Sequence, residues 1–132
     1  NISKEDYDRF LLVVIAGNIK LMSEHFDSVK DVRITEKIYR KLGTALSVEP
    51  MTLKETIAKY QSWMSRINYP SKNTRYAMSK GVFFKYDLNQ FQSDYFRNMN
   101  TPNPIFLKRL DEVINQFLFN WSDIKENYRI SS

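Results

Sequence analysis

The chain has 132 residues, with 20 Lys and Arg against 15 Asp and Glu, one His, no Cys, three Gly and four Pro. This length suits one domain that buries roughly two-thirds of its unfolded surface, and 42% hydrophobic with 27% charged residues is a globular composition rather than a disordered one. The absence of Cys excludes a disulfide framework and a thiolate nucleophile, while a single His25 removes multi-His metal sites and leaves most acid–base constellations without a partner, so the expectation is a non-enzyme with no cofactor and no metal.

The strongest apolar run, Phe10 to Ala16, is seven residues long and gives way to Gly17-Asn18 and Lys20. A spanning helix needs about 20 apolar residues, so the run reads as a buried helix face and not a membrane segment. The net acidic stretch from Ile2 to Asp8 does not suit a secretory leader. The expectation is an intracellular module, of cytoplasm, nucleoid or nucleus, within a larger polypeptide or assembly.

Ser3 and Asp6 form a loose capping box that opens a first helix reaching His25. Its inward face reads Tyr7, Phe10, Leu11, Val14, Ile15 and Met22, widened by Leu12 and Val13, which places this helix centrally. A second helix, Ser28 to Leu46, carries Ile34, Ile38, Leu42 and Ala45 inward. After Pro50, Thr52 and Glu55 make a capping box for a third helix whose Leu53, Ile57, Tyr60, Met64 and Ile67 step by three and four, with Trp63 extending the face.

Asn68-Tyr-Pro70-Ser is the loop that ends it, and Ser71-Lys-Asn73-Thr74 offers caps for the next helix. Gly81 to Tyr86 would suit a short strand, but no second strand-like run exists to pair with it, so the segment is assigned to helix. Asp87 then caps a helix carrying Leu88, Phe91, Tyr95, Phe96 and Met99. Thr101-Pro-Asn-Pro104 breaks the chain, Asn103 caps and Pro104 suits the first turn of a last helix reading Leu107, Leu110, Ile114, Phe117 and Trp121. The sum is an all-α single domain, a compact bundle of five or six helices: an N-terminal pair over 1–50, a basic portion over 51–127 and a tail over 128–132.

Charge is unevenly placed. Residues 1–50 and 101–132 are each balanced, whereas 51–100 hold Lys54, Lys59, Arg66, Lys72, Arg75, Lys80, Lys85 and Arg97 against Glu55, Asp87 and Asp94, which is the whole net charge of +5. Interleaved with Tyr60, Trp63, Tyr69, Tyr76 and Tyr86, this excess is suited to a nucleic-acid surface: cations release counterions from phosphates, and aromatic rings pack on sugars or bases. A second basic ridge, Lys30, Arg33, Lys37, Arg40 and Lys41, flanks the apolar face of the second helix, with Asp31 and Glu36 off the ridge.

Other constellations carry less. His25, beside Glu24 and Asp27, reads as a helix C-terminal cap. Asp111-Glu112 and Asp6-Asp8 read as surface charges near helix starts, and no glycine-rich phosphate loop or Ser-His-Asp grouping can be assembled. A helix-turn-helix reading of Gly43 to Ile67 meets a connection longer than the usual turn, with Lys54, Lys59 and Arg66 scattered around the third helix.

One order of elements is more specific: an aromatic-faced helix from Leu53 to Ile67, the loop Ser71-Lys-Asn73-Thr74-Arg75, a helix, a second helix from Asp87 to Met99 and a Leu- and Phe-rich closing helix from Ile105 to Trp121. From Thr52 to Asn127 this resembles the SAM-like core-binding domain of tyrosine recombinases of the phage-integrase type. The resemblance implies a half-clamp on duplex DNA whose loop-to-helix segment reaches the backbone, with Lys72, Asn73, Thr74 and Arg75 as the contacts and Lys80 on the following helix. It leaves the first two helices unexplained, and the family's catalytic domain has no counterpart, since the only His precedes the matching region.

The reading is a non-catalytic helical module that binds nucleic acid, duplex DNA foremost, through Lys72, Asn73, Thr74, Arg75, Lys80 and Lys85. The rival is a regulatory bundle that binds an acidic protein through the basic ridge, or another partner through an apolar groove beside the first helix.

Overall fold

A computed structural model describes residues 4–24 and 28–118, with side chains described from Arg9 in the first helix and from Val32 in the second. These residues form an all-α single-domain bundle without strands. The helices are α1 (Lys4–Ser23), α2 (Ser28–Leu46), α3 (Pro50–Asn68), α4 (Thr74–Lys85), α5 (Asp94–Met99) and α6 (Pro104–Asn115), with a 3₁₀ turn at Leu88–Phe91.

The centre is shared by α1 and α4. The first packs on α2, α3 and α4, and the second on α1, α3 and α6. In α4, Thr74, Ala77, Met78, Ser79, Gly81, Val82 and Phe83 are all buried, so the helix is enclosed on most of its circumference. Close approach explains Gly17 of α1, where a Cβ would overlap the Met78 thioether; at Gly81 a Cβ would meet Trp63 and Met64 of α3 at 3.4 Å, an ordinary contact. Ser79 is satisfied by donating to the Asp111 carboxylate of α6, which makes Asp111 a packing partner rather than the surface charge the sequence suggests.

The buried stripe of α1 is broader than its periodicity indicates. Val13, Ile15, Ala16, Asn18, Ile19 and Met22 are inside, whereas Leu11 is exposed. Asn18 is tolerated there because its amide donates to Val14 O at 3.0 Å and to Phe117 O at 2.9 Å, holding the end of α6 on α1. At the end of α4, Tyr86 Oη accepts the Phe10 amide of α1 at 2.9 Å. In α2, Tyr39 is buried and Ala45 is exposed, the reverse of a face that counts Ala45 inward.

Several helix ends differ from expectation. The α3 N-cap is Glu49, followed by Pro50 in the first turn, and Thr52 lies inside the helix with its hydroxyl on Glu49 at 3.4 Å. The helix begins earlier because Pro50 is preset for a first-turn position that needs no N–H. Asp87 caps nothing. It takes a left-handed conformation (φ 51°) that closes α4 and opens the 3₁₀ turn, after which Ser93 starts the short α5. One long helix is thus split into two pieces. Buried Gln92 replaces the missing helical bonds: its Nε2 donates to Thr101 O at 2.8 Å and its Oε1 accepts the Asn103 amide at 2.7 Å.

Asn103 does cap α6, accepting Ile105 N at 2.8 Å with Pro104 behind it, but the helix closes at Asn115, leaving Phe117 in the terminal turn. Ser3, His25 and Trp121 lie outside the described residues. The α2–α3 connection is only Ser47 to Glu49, shorter than the Gly43–Pro50 stretch suggests, because Ser47 (φ 56°) turns left-handed and closes a Schellman motif through Val48 N to Gly43 O at 2.8 Å.

Candidate nucleic-acid interface

The residues singled out in the loop before α4 are drawn into structural work. Asn73 is the N-cap, accepting Tyr76 N at 3.0 Å, and its own amide donates to Ser71 Oγ at 3.1 Å. Asn68 pins the loop from beneath, its Nδ2 donating to Asn73 O at 2.9 Å and to Ser71 O at 3.4 Å. Thr74 is buried. Arg75 is half-buried and donates to Asn115 Oδ1 of α6 at 3.1 Å. Of this group Lys72 is exposed, and Lys80 lies half-buried on α4.

A denser basic and aromatic grouping forms one turn further along. Trp63 lies against α4 where Gly81 has no side chain, and one helical turn later the Lys85 ammonium stands 4.5 Å from the Trp63 ring centre and 4.9 Å from that of Tyr60. Tyr60 and Trp63 meet edge to face, centroids 6.3 Å apart. Arg9 of α1 reaches the same corner and donates to Lys85 O at 3.3 Å. Lys59, Ser62 and Arg66 complete an open concavity of about 690 Å³, in which no carboxylate takes part among the described residues.

Burial raises the Tyr60 phenol above its ordinary value, and the Arg9 charge opposes that by favouring phenolate. Sequence reasoning counted Lys59 and Arg66 as scattered. They are seven residues apart, two helical turns, and so share one side of α3 with Ser62 and Trp63. That spacing was the signal available. The contribution of Lys85 and Arg9 was not, since it depends on how α1 and α4 cross α3.

The second basic ridge is only partly assembled. Arg33, Arg40 and Lys41 are exposed and Lys37 is half-buried, while the Lys30 side chain lies outside the described set. Glu36, off the ridge, pairs with Lys54 of α3 at 3.0 Å, which removes Lys54 from the positive surface at the start of that helix and with it the support for a recognition-helix reading. Between α1 and α2, Leu11, Val14, Ile15, Ile19, Ile38 and Leu42 line an apolar groove of about 460 Å³ with Lys41 at its edge.

Among the described residues, no group of three or more His, Asp or Glu side chains comes together to hold a metal, and no helix is long and apolar enough to cross a membrane. No family model, curated protein or solved structure matches this chain. Function is therefore read from the chemistry of its own surfaces.

Proposed function

We propose that this chain is a non-catalytic module that binds duplex DNA through the concavity where Lys85 covers Trp63 and Tyr60. The observation that carries the reading is the convergence of Lys59, Arg66 and Lys85 from two helices on two aromatic rings, with no carboxylate among the described residues of the concavity. Backbone phosphates take the Lys85 ammonium from the ring face, and Trp63 then packs on the exposed sugar. Lys59 and Arg66 follow adjacent phosphates, and Lys80 of α4 extends the contact. The resemblance to the core-binding domain of tyrosine recombinases agrees in partner, although it assigns the contacts to the loop before α4.

The test is fluorescence anisotropy of a labelled duplex across a salt series. Four phosphate contacts give a log–log slope of about −4. Lys59→Glu with Lys85→Glu should abolish binding while leaving the helical circular dichroism intact; unchanged affinity in that variant overturns the assignment. Lys72→Glu with Lys80→Glu weakens binding if the loop takes part.

A second reading is favoured by the apolar groove between α1 and α2. Its lining and the neighbouring Arg40 and Lys41 suit an amphipathic helix with an acidic flank, laid lengthwise. Sedimentation at several concentrations separates self-association through this groove from an outside partner. A dimer lost in Val14→Asp supports the former.

A further inference from the structure

A duplex backbone asks for cations, and the concavity on α3 offers two aromatic rings besides. Tyr60 and Trp63 both line it, each half-buried, and meet edge to face with centroids 6.3 Å apart. Their neighbours on the same wall, Ala58 and Ser62, are small and exposed and add little cover. Arg9 and Lys85 come from other helices to the same corner, so the rings sit among cations on a surface that the core does not need.

The group over the rings is the Lys85 ammonium, 4.5 Å from the Trp63 centre and 4.9 Å from that of Tyr60. It forms no ion pair among the described residues. An ammonium over a half-exposed ring is held only weakly, and a phosphate draws it away at little cost. The ring surface it covered is then open to a flat partner.

An intact duplex supplies no such partner, because its base faces are stacked inside the helix and only sugars and phosphates reach a groove-free surface. An unpaired base does supply one, since every base has a π-face that stacks on Trp or Tyr without regard to sequence. The cations are placed to match. Lys59 and Arg66 leave α3 seven residues apart, about 10 Å along its axis, with Ser62 and Trp63 between them in sequence. Positive charge thus flanks the indole on both sides, the order of phosphate, base and phosphate in an unstacked strand.

We propose, building on the DNA reading above, that the concavity takes an unpaired nucleotide, its base stacked against the Tyr60–Trp63 pair and its flanking phosphates on Lys59, Arg66 and the displaced Lys85. The preferred ligand is then duplex DNA where it passes into a single strand. An intact duplex, which brings only sugars to the rings, is the weaker one.

The test is fluorescence anisotropy of the full chain with three labelled ligands. These are a duplex of about 25 base pairs, the same duplex with a thymidine extension of about five nucleotides, and the same extension made of abasic residues. The abasic extension carries the same phosphates and no bases. Thymidine should bind about tenfold more tightly than either of the others, the equivalent of one stacked base. Trp63→Leu, with its helical circular dichroism intact, should bring the three ligands to within about twofold of one another. In a Trp121→Phe background, where Trp63 is the sole indole, the thymidine extension should quench its emission and the abasic one should not. That readout needs no change at Trp63, so it decides even if Trp63→Leu fails to fold.

Three results overturn the proposal: equal affinity for the thymidine and abasic extensions, unchanged Trp63 emission with thymidine, or a folded Trp63→Leu that keeps the thymidine advantage. In each of them binding of the intact duplex still upholds the DNA reading. If none of the three ligands binds, both fall.

Discussion

The Lys85 ammonium stands 4.5 Å from the centre of the Trp63 ring, in a corner where the indole lies against α4 beside Gly81, one turn earlier. A cation over an indole face contributes about 0.5–1 kcal/mol at an exposed site and more when partly desolvated. Lys85→Met should therefore lower the urea midpoint by that equivalent, and Lys85→Arg should retain it. In a Trp121→Phe background Trp63 is the sole indole, and its emission should shift in Lys85→Met alone of the two. An unshifted spectrum would separate the ammonium from the ring.

Tyr60 supplies a pH dependence. Burial raises its phenol above 10.0 in the folded protein, with Arg9 pulling the other way. The unfolded chain then releases this proton at lower pH than the folded one. The associated stability is complete below pH 10.0 and is lost as pH rises through the folded value. Tyr60→Phe should remove that part of the alkaline loss, seen as a flatter stability profile above pH 10.0 than in the parent. Arg9→Gln should raise the phenol further, measured by ultraviolet titration of tyrosinate.

Gly17 sets how closely α1 approaches α4. A Cβ there would overlap the Met78 side chain, itself fully buried, so Gly17→Ala should cost about 1–3 kcal/mol in denaturant unfolding. Met78→Ala alone should cost about 2–5 kcal/mol through the cavity it leaves. The double variant should lose clearly less than the sum, because each change relieves the other. Additive losses would show that the two residues do not compete for the same space.

The α2–α3 turn makes opposite predictions at neighbouring positions. At Gly43 a Cβ would stand 2.6 Å from the Val48 carbonyl oxygen, so Gly43→Ala must open the Schellman turn and destabilise the fold. At Ser47 the backbone is already left-handed, a conformation that costs an L-residue about 1 kcal/mol and glycine far less. Ser47→Gly should raise the thermal midpoint, and Gly43→Ala should lower it.

Much of the helical layout was legible because it rests on local rules. Asn73 and Asn103-Pro104 start α4 and α6 as their side-chain chemistry requires, and Leu53, Ile57 and Met64 are buried at their expected helical spacing. The Asp87 turn was misread because Asp serves equally as an N-cap and as a residue that tolerates left-handed backbone. Here the 3₁₀ turn and the Gln92 bonds decide between them. The central role of α4 was hidden for a different reason: a helix enclosed on several sides shows no single apolar stripe, and Thr74-Arg-Tyr-Ala-Met-Ser-Lys-Gly-Val mixes small and polar residues into buried positions.

The sequence by itself determined the helix-rich class and the confinement of the net positive charge to residues 51–100, since both follow from composition and short-range periodicity. Only the tertiary structure decided which charges meet. Arg9, Trp63 and Lys85 are brought together by the crossing of α1 and α4 over α3. Such meetings depend on interhelical packing, which side-chain volumes at distant positions set jointly and no single helical segment specifies.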